Sequence, residues 1–209
     1  DTQPSRAVRN TPYRWLDLRE LCRSLLSPQH AIIRIKYFTA DVQPTPYDPS
    51  KSTRQQAYLR ALKTIPGLEV IKGHYMAHVV DMLEASGAPP GPAQPHHYPQ
   101  PRSYRRVIRT EEKGSDVNLA VHMVTDGFRH LYDAAVVVSN DSDLAEAFRI
   151  VKGELKLKVG LLCPCSSPTV ALKRYSSFVR QVGTTDLAAA QFPAALVDAR
   201  GTIHKPAAW

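Results

Sequence analysis

Asp141 and Asp143 stand two residues apart in the turn Ser139-Asn140-Asp141-Ser142-Asp143, directly after the unbroken apolar run Ala134 to Val138. A third acid, Asp116, opens a segment with helical apolar spacing. Two like charges ~4 Å apart repel by about 1 kcal/mol in water and by about 4 kcal/mol at an effective dielectric near 20. Three gathered carboxylates therefore call for a cation. The hard, oxygen-seeking Mg²⁺ or Mn²⁺, keeping several of its waters, suits them, because no Cys/His set with zinc spacing is present. Each acid also has a plainer reading. Asp141 or Asp143 can cap the helix that follows, and Asp116 can sit at a helix start because the macrodipole favours a negative charge there.

The surrounding charge is uneven. Glu111 to Glu146 holds eight acids against Lys113 and Arg129, within a chain of 209 residues whose formal charge is +8. Arg102, Arg105, Arg106 and Arg109 precede that stretch, and seven bases from Arg149 to Arg180 follow it against Glu154 alone. An acidic focus in a basic field suits a metal-dependent enzyme acting on a phosphate polymer, with carboxylates on the cation and bases on the backbone. Solvated faces of alternating sign would give the same arithmetic.

The elements that must position these groups alternate. Tyr13 to Ser27 reads as an amphipathic helix stopped by Pro28, Ala31 to Phe38 as a strand, and Ser50 to Ile65 as a helix with Tyr58, Ala61, Leu62 and Ile65 on one stripe. Leu68 to Tyr75 resumes as a strand, and a Pro-rich excursion over 78–102 follows. Tyr104 to Thr110 is predicted to pair with Leu68 to Tyr75 as an extended basic arm. Ser115 then caps a helix with the core stripe Val117, Val121, Val124 and Phe128, leading into Ala134 to Val138, which reads as a central parallel strand. A helix carrying Leu144, Phe148 and Val151, a strand Leu157 to Cys163 and a last helix Val170 to Val179 complete the pattern. Such alternation means an α/β fold with right-handed crossovers, and ligands in such folds bind beyond the carboxyl ends of the strands, where the Asp141 turn lies.

The wording of two blocks goes further. Glu111-Glu112-Lys113-Gly114-Ser115-Asp116-Val117-Asn118-Leu119-Ala120 and Val137-Val138-Ser139-Asn140-Asp141-Ser142-Asp143-Leu144 closely resemble the signature blocks of the bacterial NYN family, PIN-like metal-dependent ribonucleases. The likeness runs on through Arg14-Trp15-Leu16-Asp17-Leu18, Lys36-Tyr37-Phe38-Thr39-Ala40 and Arg54-Gln55-Gln56 to His204-Lys205-Pro206. It implies a three-layer α/β PIN-like (Rossmann-like) domain with a central, mostly parallel sheet and RNA as the partner. Asp116, Asp141 and Asp143 would then be catalytic acids holding Mg²⁺ or Mn²⁺, with Ser139 and Asn140 in support. Arg109 and Lys113 would contact phosphate. Apart from the likeness, Tyr98 and Tyr104, interleaved with Arg102, Arg105 and Arg106, suit stacking on bases while the guanidiniums hold substrate phosphates, and an exposed hairpin surface would read the same way. Family members usually begin with an apolar strand ending in an aspartate. Here the chain opens Asp1-Thr2-Gln3-Pro4-Ser5-Arg6, so the first strand is expected to be missing and nuclease activity reduced or absent. The alternative function is a non-catalytic RNA-binding or scaffolding module. A phosphatase with Asp141 or Asp143 as nucleophile fits less well, without the accompanying lysine and threonine.

The remaining signals bound the class. Residues 1–182 are expected to form the domain and 183–209 a tail. Cys22, Cys163 and Cys165 are too few for a disulfide framework and favour a reducing, cytoplasmic setting, with Cys163 and Cys165 as packing thiols rather than zinc ligands. His96 and His97 fall in the Pro-rich excursion, and His74 and His78 flank a strand end. No apolar run is long enough to cross a bilayer, and a homo-oligomer stays open.

Overall fold

The computed structural model describes residues 11–84 and 103–209, and the chain folds as mixed α/β with several small sheets. The Asp17 side chain caps the first helix, α1 (Leu18–Leu25), accepting from the Arg19 and Glu20 N–H groups, and Leu18 and Leu21 turn inward. Strand β1 (Ile35–Thr39) pairs in parallel with β2 (Leu68–Lys72), joined by α2 (Lys51–Leu62). Leu59, Ala61, Leu62 and Ile65 bury the inner side of that crossover, close to the stripe expected from spacing.

At Gly73 the chain leaves this sheet. A Cβ there would lie 2.4 Å from the Lys113 carbonyl oxygen, so only glycine lets the two chain segments cross so closely. Beyond it, β3 (His74–Leu83) and β4 (Tyr104–Lys113) form an antiparallel ribbon in unbroken register, His74 opposite Lys113 and Leu83 opposite Tyr104. The expected pairing of 104–110 with 68–75 is thus corrected, because the strand is interrupted at Gly73 and its second part turns out to meet β4. The excursion correspondingly starts later than residue 78. Residues 85–102, with His96, His97, Tyr98 and Arg102, lie outside the described residues, as do Asp1 to Asn10.

Gly114, at φ 91°, turns β4 into α3 (Ser115–Phe128), a conformation that side chains with a Cβ rarely adopt. The expected core stripe of α3 is corrected. Val117, Val121 and Phe128 are exposed, whereas Met123 is buried and Leu119, Ala120 and Val124 pack beside it. This helix is apolar on two sides, and periodicity alone cannot say which one faces inward.

Three parallel strands form the larger sheet in the order β5 (Ala134–Val138), β6 (Lys158–Cys163), β7 (Phe178–Gln181). Between β5 and β6 run a 3₁₀ turn (Ser142–Leu144), α4 (Ala145–Arg149) and a π-type turn (Ile150–Glu154), which together bury Leu144, Phe148 and Val151. Among the described residues the central strand of this sheet is β6, whereas the apolar run suggested β5. From Val159 to Cys163 β6 is buried throughout, while β5 is largely half-buried and, among the described residues, pairs on one side only. The helix expected over 170–179 stops early as α5 (Val170–Tyr175), and β7 follows. Gly160 faces Phe178 across that pairing, where an added Cβ would stand 2.2 Å from the ring. Gly160→Ala is expected to destabilise the domain by about 1–3 kcal/mol, read from the denaturation midpoint.

The chain ends in α6 (Thr184–Ala189) and a hairpin of β8 (Ala195–Asp198) with β9 (Gly201–His204). Leu187, Phe192 and Ile203 join Trp15, Leu21 and Leu62 in one core cluster, and Arg60 forks onto Asp198 at 2.7 and 3.0 Å. A second cluster gathers around Phe148, between α3, α4 and the larger sheet. Among the described residues no helix is long and apolar enough to cross a membrane.

Candidate active site

Asp116 lies in the first turn of α3, and the Asp141 turn leaves the carboxyl end of β5. The two places adjoin. Ser115, Asp116, Val138 and Ser139 all line one cavity of about 540 Å³. Although Asp116 stays solvent-accessible, its carboxyl titrates above the usual 3.8, first because of desolvation and then because Asp141, Glu112 and Asp143 stand near it. Asp116 therefore feels the charge of the other two acids singled out by the sequence. Glu112 belongs with them and was missed. Its signal was its place four residues before Asp116 across Gly114, on a strand end that only the tertiary turn brings round.

The turn is held by its own polar groups. Buried Ser139 Oγ accepts from Asp141 N–H at 3.0 Å, and Asp141 Oδ1 accepts from Asp143 N–H at 3.0 Å. Asp141 thus caps the 3₁₀ turn, the plainer role expected for such an acid. Asn140 Oδ1 accepts from Thr169 N–H at 2.8 Å, and its Nδ2 donates to the Ser167 carbonyl at 3.4 Å. The side chain fastens the acid turn to the loop after β6, where the Cys163 and Cys165 sulfurs lie 3.3 Å apart. Ser115 Oγ donates to Glu112 Oε1, so the first turn of α3 and the end of β4 hold each other.

The donor chemistry suits a hard cation, since every acid near Asp116 offers oxygen and Mg²⁺ needs only one or two protein carboxylates beside its waters. In this conformation the described residues contain no group of three His, Cys, Asp or Glu side chains close enough to enclose an ion. The acids converge without closing.

The arm differs from its expected basic character. Over 74–84 and 103–113 it holds four bases and four acids, and the bases pair with three of the acids. Arg105 pairs with Glu84 at 2.7 Å, Arg106 with Asp81 at 3.4 Å, and Arg109 and Lys113 both with Glu111. Lys113, then Arg109, holds the Glu111 carboxyl below its usual range. These pairs are exposed and weak, so a phosphate can displace the carboxylate partners only by competing with them. On the expectation from the sequence that Arg109 and Lys113 contact RNA phosphates, Glu111→Gln should release both and tighten single-stranded RNA binding a few-fold at low salt, with a steeper salt dependence, measured by fluorescence anisotropy.

The cavity has an informative shape. The edges of β1 and β5 flank it, α1 closes one side through Leu18 and Leu21, and α3 the other through Leu119 and Met123. Lys36 of β1 reaches across to Asp126 at 2.5 Å and His122 at 3.0 Å on α3. Sequence spacing had no means of bringing this cluster together, because its members lie 86 and 90 positions apart.

With this geometry in view, the comparisons with known proteins point one way in sequence and add a second name. The sequence model of the NYN domain matches residues 6–180. The chain is 30% identical over 225 residues to 6-hydroxy-3-succinoylpyridine 3-monooxygenase HspA of Pseudomonas putida (strain DSM 28022 / S16), a match covering 97% of this chain and 70% of that protein. Among solved structures it is similar to a protein of unknown function, VPA0982 from Vibrio parahaemolyticus RIMD 2210633, with a TM-score of 0.48 and 13% identity over 86% of this chain and 84% of that one.

Proposed function

Because the chain belongs to the NYN domain family, whose members are nuclease-like and generally metal-dependent, we propose that it is a metal-dependent RNA endonuclease hydrolysing phosphodiester bonds. The observation that supports this reading is that Asp116 and the Asp141 turn, which leaves the carboxyl end of β5, stand close enough for Asp141 and Asp143 to raise the Asp116 carboxyl. Those three acids would hold Mg²⁺ or Mn²⁺. When bound, such an ion stabilises charge on a phosphoryl oxygen and lowers the pKa of a bound water. The chain's own part is positional. Ser139 and Asn140 keep the acid turn in place, and Arg105, Arg106, Arg109 and Lys113 would exchange their carboxylate partners for RNA phosphates. A cytoplasmic location and a homo-oligomeric state belong to the same proposal.

We further propose that the domain is a three-layer PIN-like one with its first strand missing from the described residues. Supporting this, the cavity is walled by β1 and β5, each with a strand partner on one side only among the described residues, and covered by helices on both faces. Strands in a sheet lie about 4.8 Å apart, and an apolar strand entering there would join the two parallel sheets into one and fill the space.

A second reading, oxidation of a small aromatic acid, draws on the name of the Pseudomonas relative and on the cavity, whose volume falls in the range of about 300–1,000 Å³ common for ligand sites. Its walls, two strand edges, offer hydrogen-bonding groups that an extended chain segment satisfies and an aromatic ring does not, which weighs against a small aromatic occupant.

The deciding experiment is cleavage of labelled single-stranded and hairpin RNA by this chain with Mn²⁺ or with EDTA. Metal-dependent cleavage supports the nuclease. RNA binding that survives EDTA, without cleavage by folded protein, favours the binding or scaffolding module, and oxygen uptake with a pyridine carboxylate favours the oxygenase.

A further inference from the structure

Among the described residues the ribbon of β3 and β4 has two open edges of very different character. Six of the ten residues of β4 are charged (Arg105, Arg106, Arg109, Glu111, Glu112, Lys113), whereas β3 has Asp81 as its one Asp, Glu, Lys or Arg. Charge along an edge, prolines, bulges and covering elements are the devices that keep strand edges from pairing with other chains. Strand β3 has no proline, its ladder to β4 runs without a bulge, and among the described residues no other strand pairs with it. Met76, Val79 and Met82 stand exposed along it.

Its hydrogen-bonding phase follows from one bond at the end of the ladder. Glu84 N–H donates to the Ser103 carbonyl at 2.9 Å, continuing the register of the ribbon. In an antiparallel ladder alternate residues turn their N–H and C=O groups to the same neighbour. The even-numbered residues of β3 therefore face β4, and Ala77, Val79 and Asp81 present their backbone groups to the open edge.

We infer that β3 is a homodimerisation edge, pairing antiparallel with β3 of a second copy of this chain about a two-fold axis at Val79 to make one four-stranded sheet. An isologous pairing of this kind sets each residue opposite the one equally far beyond the axis. Val79 meets Val79, and Ala77 meets Asp81 of the second copy; all belong to the outward-facing set and exchange their main-chain bonds. On the opposite face Met76 meets Met82 of the second copy, apolar against apolar. The two Asp81 carboxylates lie four residues apart along the strands, ~14 Å at about 3.4 Å per residue, beyond a Debye length of about 8 Å. A two-fold at Asp81 would set them face to face, and of the other registers only the one at Val79 pairs the exposed Met76, Val79 and Met82 with one another. The second copy is the occupant because β3 is itself the apolar, strand-forming partner such an edge requires, and because the charged edge of β4 is unsuited to the same pairing. This inference does not depend on the reaction at the acids.

The test is the mass in solution of the full chain, by size exclusion with light scattering from about 1 to 100 μM, for wild type, Val79→Pro and Val79→Lys. Proline removes an N–H that the β3–β4 ladder does not use, so the ribbon keeps its own bonds while the outer edge loses its central donor. Lysine leaves the backbone intact and places two like charges together at the axis. Wild type is expected at twice 23.2 kDa in the upper part of the range and both variants at 23.2 kDa, with unchanged circular dichroism. Should Val79→Pro fail to fold, Val79→Lys decides alone. A wild type that stays monomeric throughout, or a folded variant as dimeric as wild type, overturns the inference.

Discussion

Asp116→Asn is expected to lower RNA cleavage by about a hundred- to a thousand-fold and, in the same protein, to raise the melting temperature slightly. The first effect follows from the proposed role, since a lost ion ligand removes several kcal/mol of charge stabilisation at about 1.4 kcal/mol per tenfold in rate. The second follows from the environment. Desolvation, with Asp141, Glu112 and Asp143 nearby, raises the Asp116 carboxyl above 3.8 in the folded chain. A raised folded value means that the folded state holds the proton more tightly. The stability linked to that proton is complete below about 3.8 and is lost as pH rises through the folded value. At neutral pH the ionised carboxylate is a net cost, which asparagine removes without changing the side-chain shape. Because Asp116 is solvent-accessible the gain is small, on the order of 1 °C. Mn²⁺ should stabilise wild type, by about 1.4 kcal/mol at ten times its dissociation constant, and have little effect on the variant. Thermal melts with and without Mn²⁺, run beside the cleavage assay, separate the outcomes. A variant that loses stability, or responds to Mn²⁺ as wild type does, would exclude Asp116 as an ion ligand.

The largest stability effect is expected at Trp15. Its ring is fully buried, lies 5.8 Å from Phe192, 6.1 Å from Tyr58 and 6.3 Å from Trp209, and its Nε1 donates to the Pro193 carbonyl at 2.7 Å. Trp15→Ala is expected to cost about 3–5 kcal/mol, transfer and cavity terms together, and to leave that carbonyl without its donor. The loss should be felt at a distance in sequence, because Trp15 joins the start of the fold to its last residues. Hydrogen exchange would show protection falling in α6, β8 and β9 along with α1, and a truncation after Gln181 should unfold the chain rather than trim a tail. Trp15→Phe should recover part of the loss but not the indole hydrogen bond.

Residues 183–209 show where reading from sequence ran out. They have little periodicity of their own and read as an appendage. Their apolar residues nonetheless complete the core around Trp15, a contact with 178 positions between donor and acceptor that no local pattern encodes. The inward face of α3 failed for a different reason. Val117 and Val121 are as apolar as Leu119 and Met123, so choosing between the faces required the sheet against which the helix packs. The Asp141 turn was legible because strand end, turn and helix start are adjacent in the chain, and their order reflects local chemistry.

From sequence alone came the alternation of helices and strands, the position of the acid turn, the family likeness and the absence of a disulfide framework. All rest on short-range signals: hydrophobic period, caps, breakers and the wording of contiguous blocks. The tertiary structure alone decided that Glu112 joins Asp116, that Lys36 reaches His122 and Asp126, that the bases of the arm are already engaged by acids, and that β1 and β5 face a shared cavity instead of pairing. Each of these depends on how two segments far apart in the chain are brought together. That is governed by the burial of whole faces and the pairing of backbone edges, energies summed over many residues and carried by no single motif.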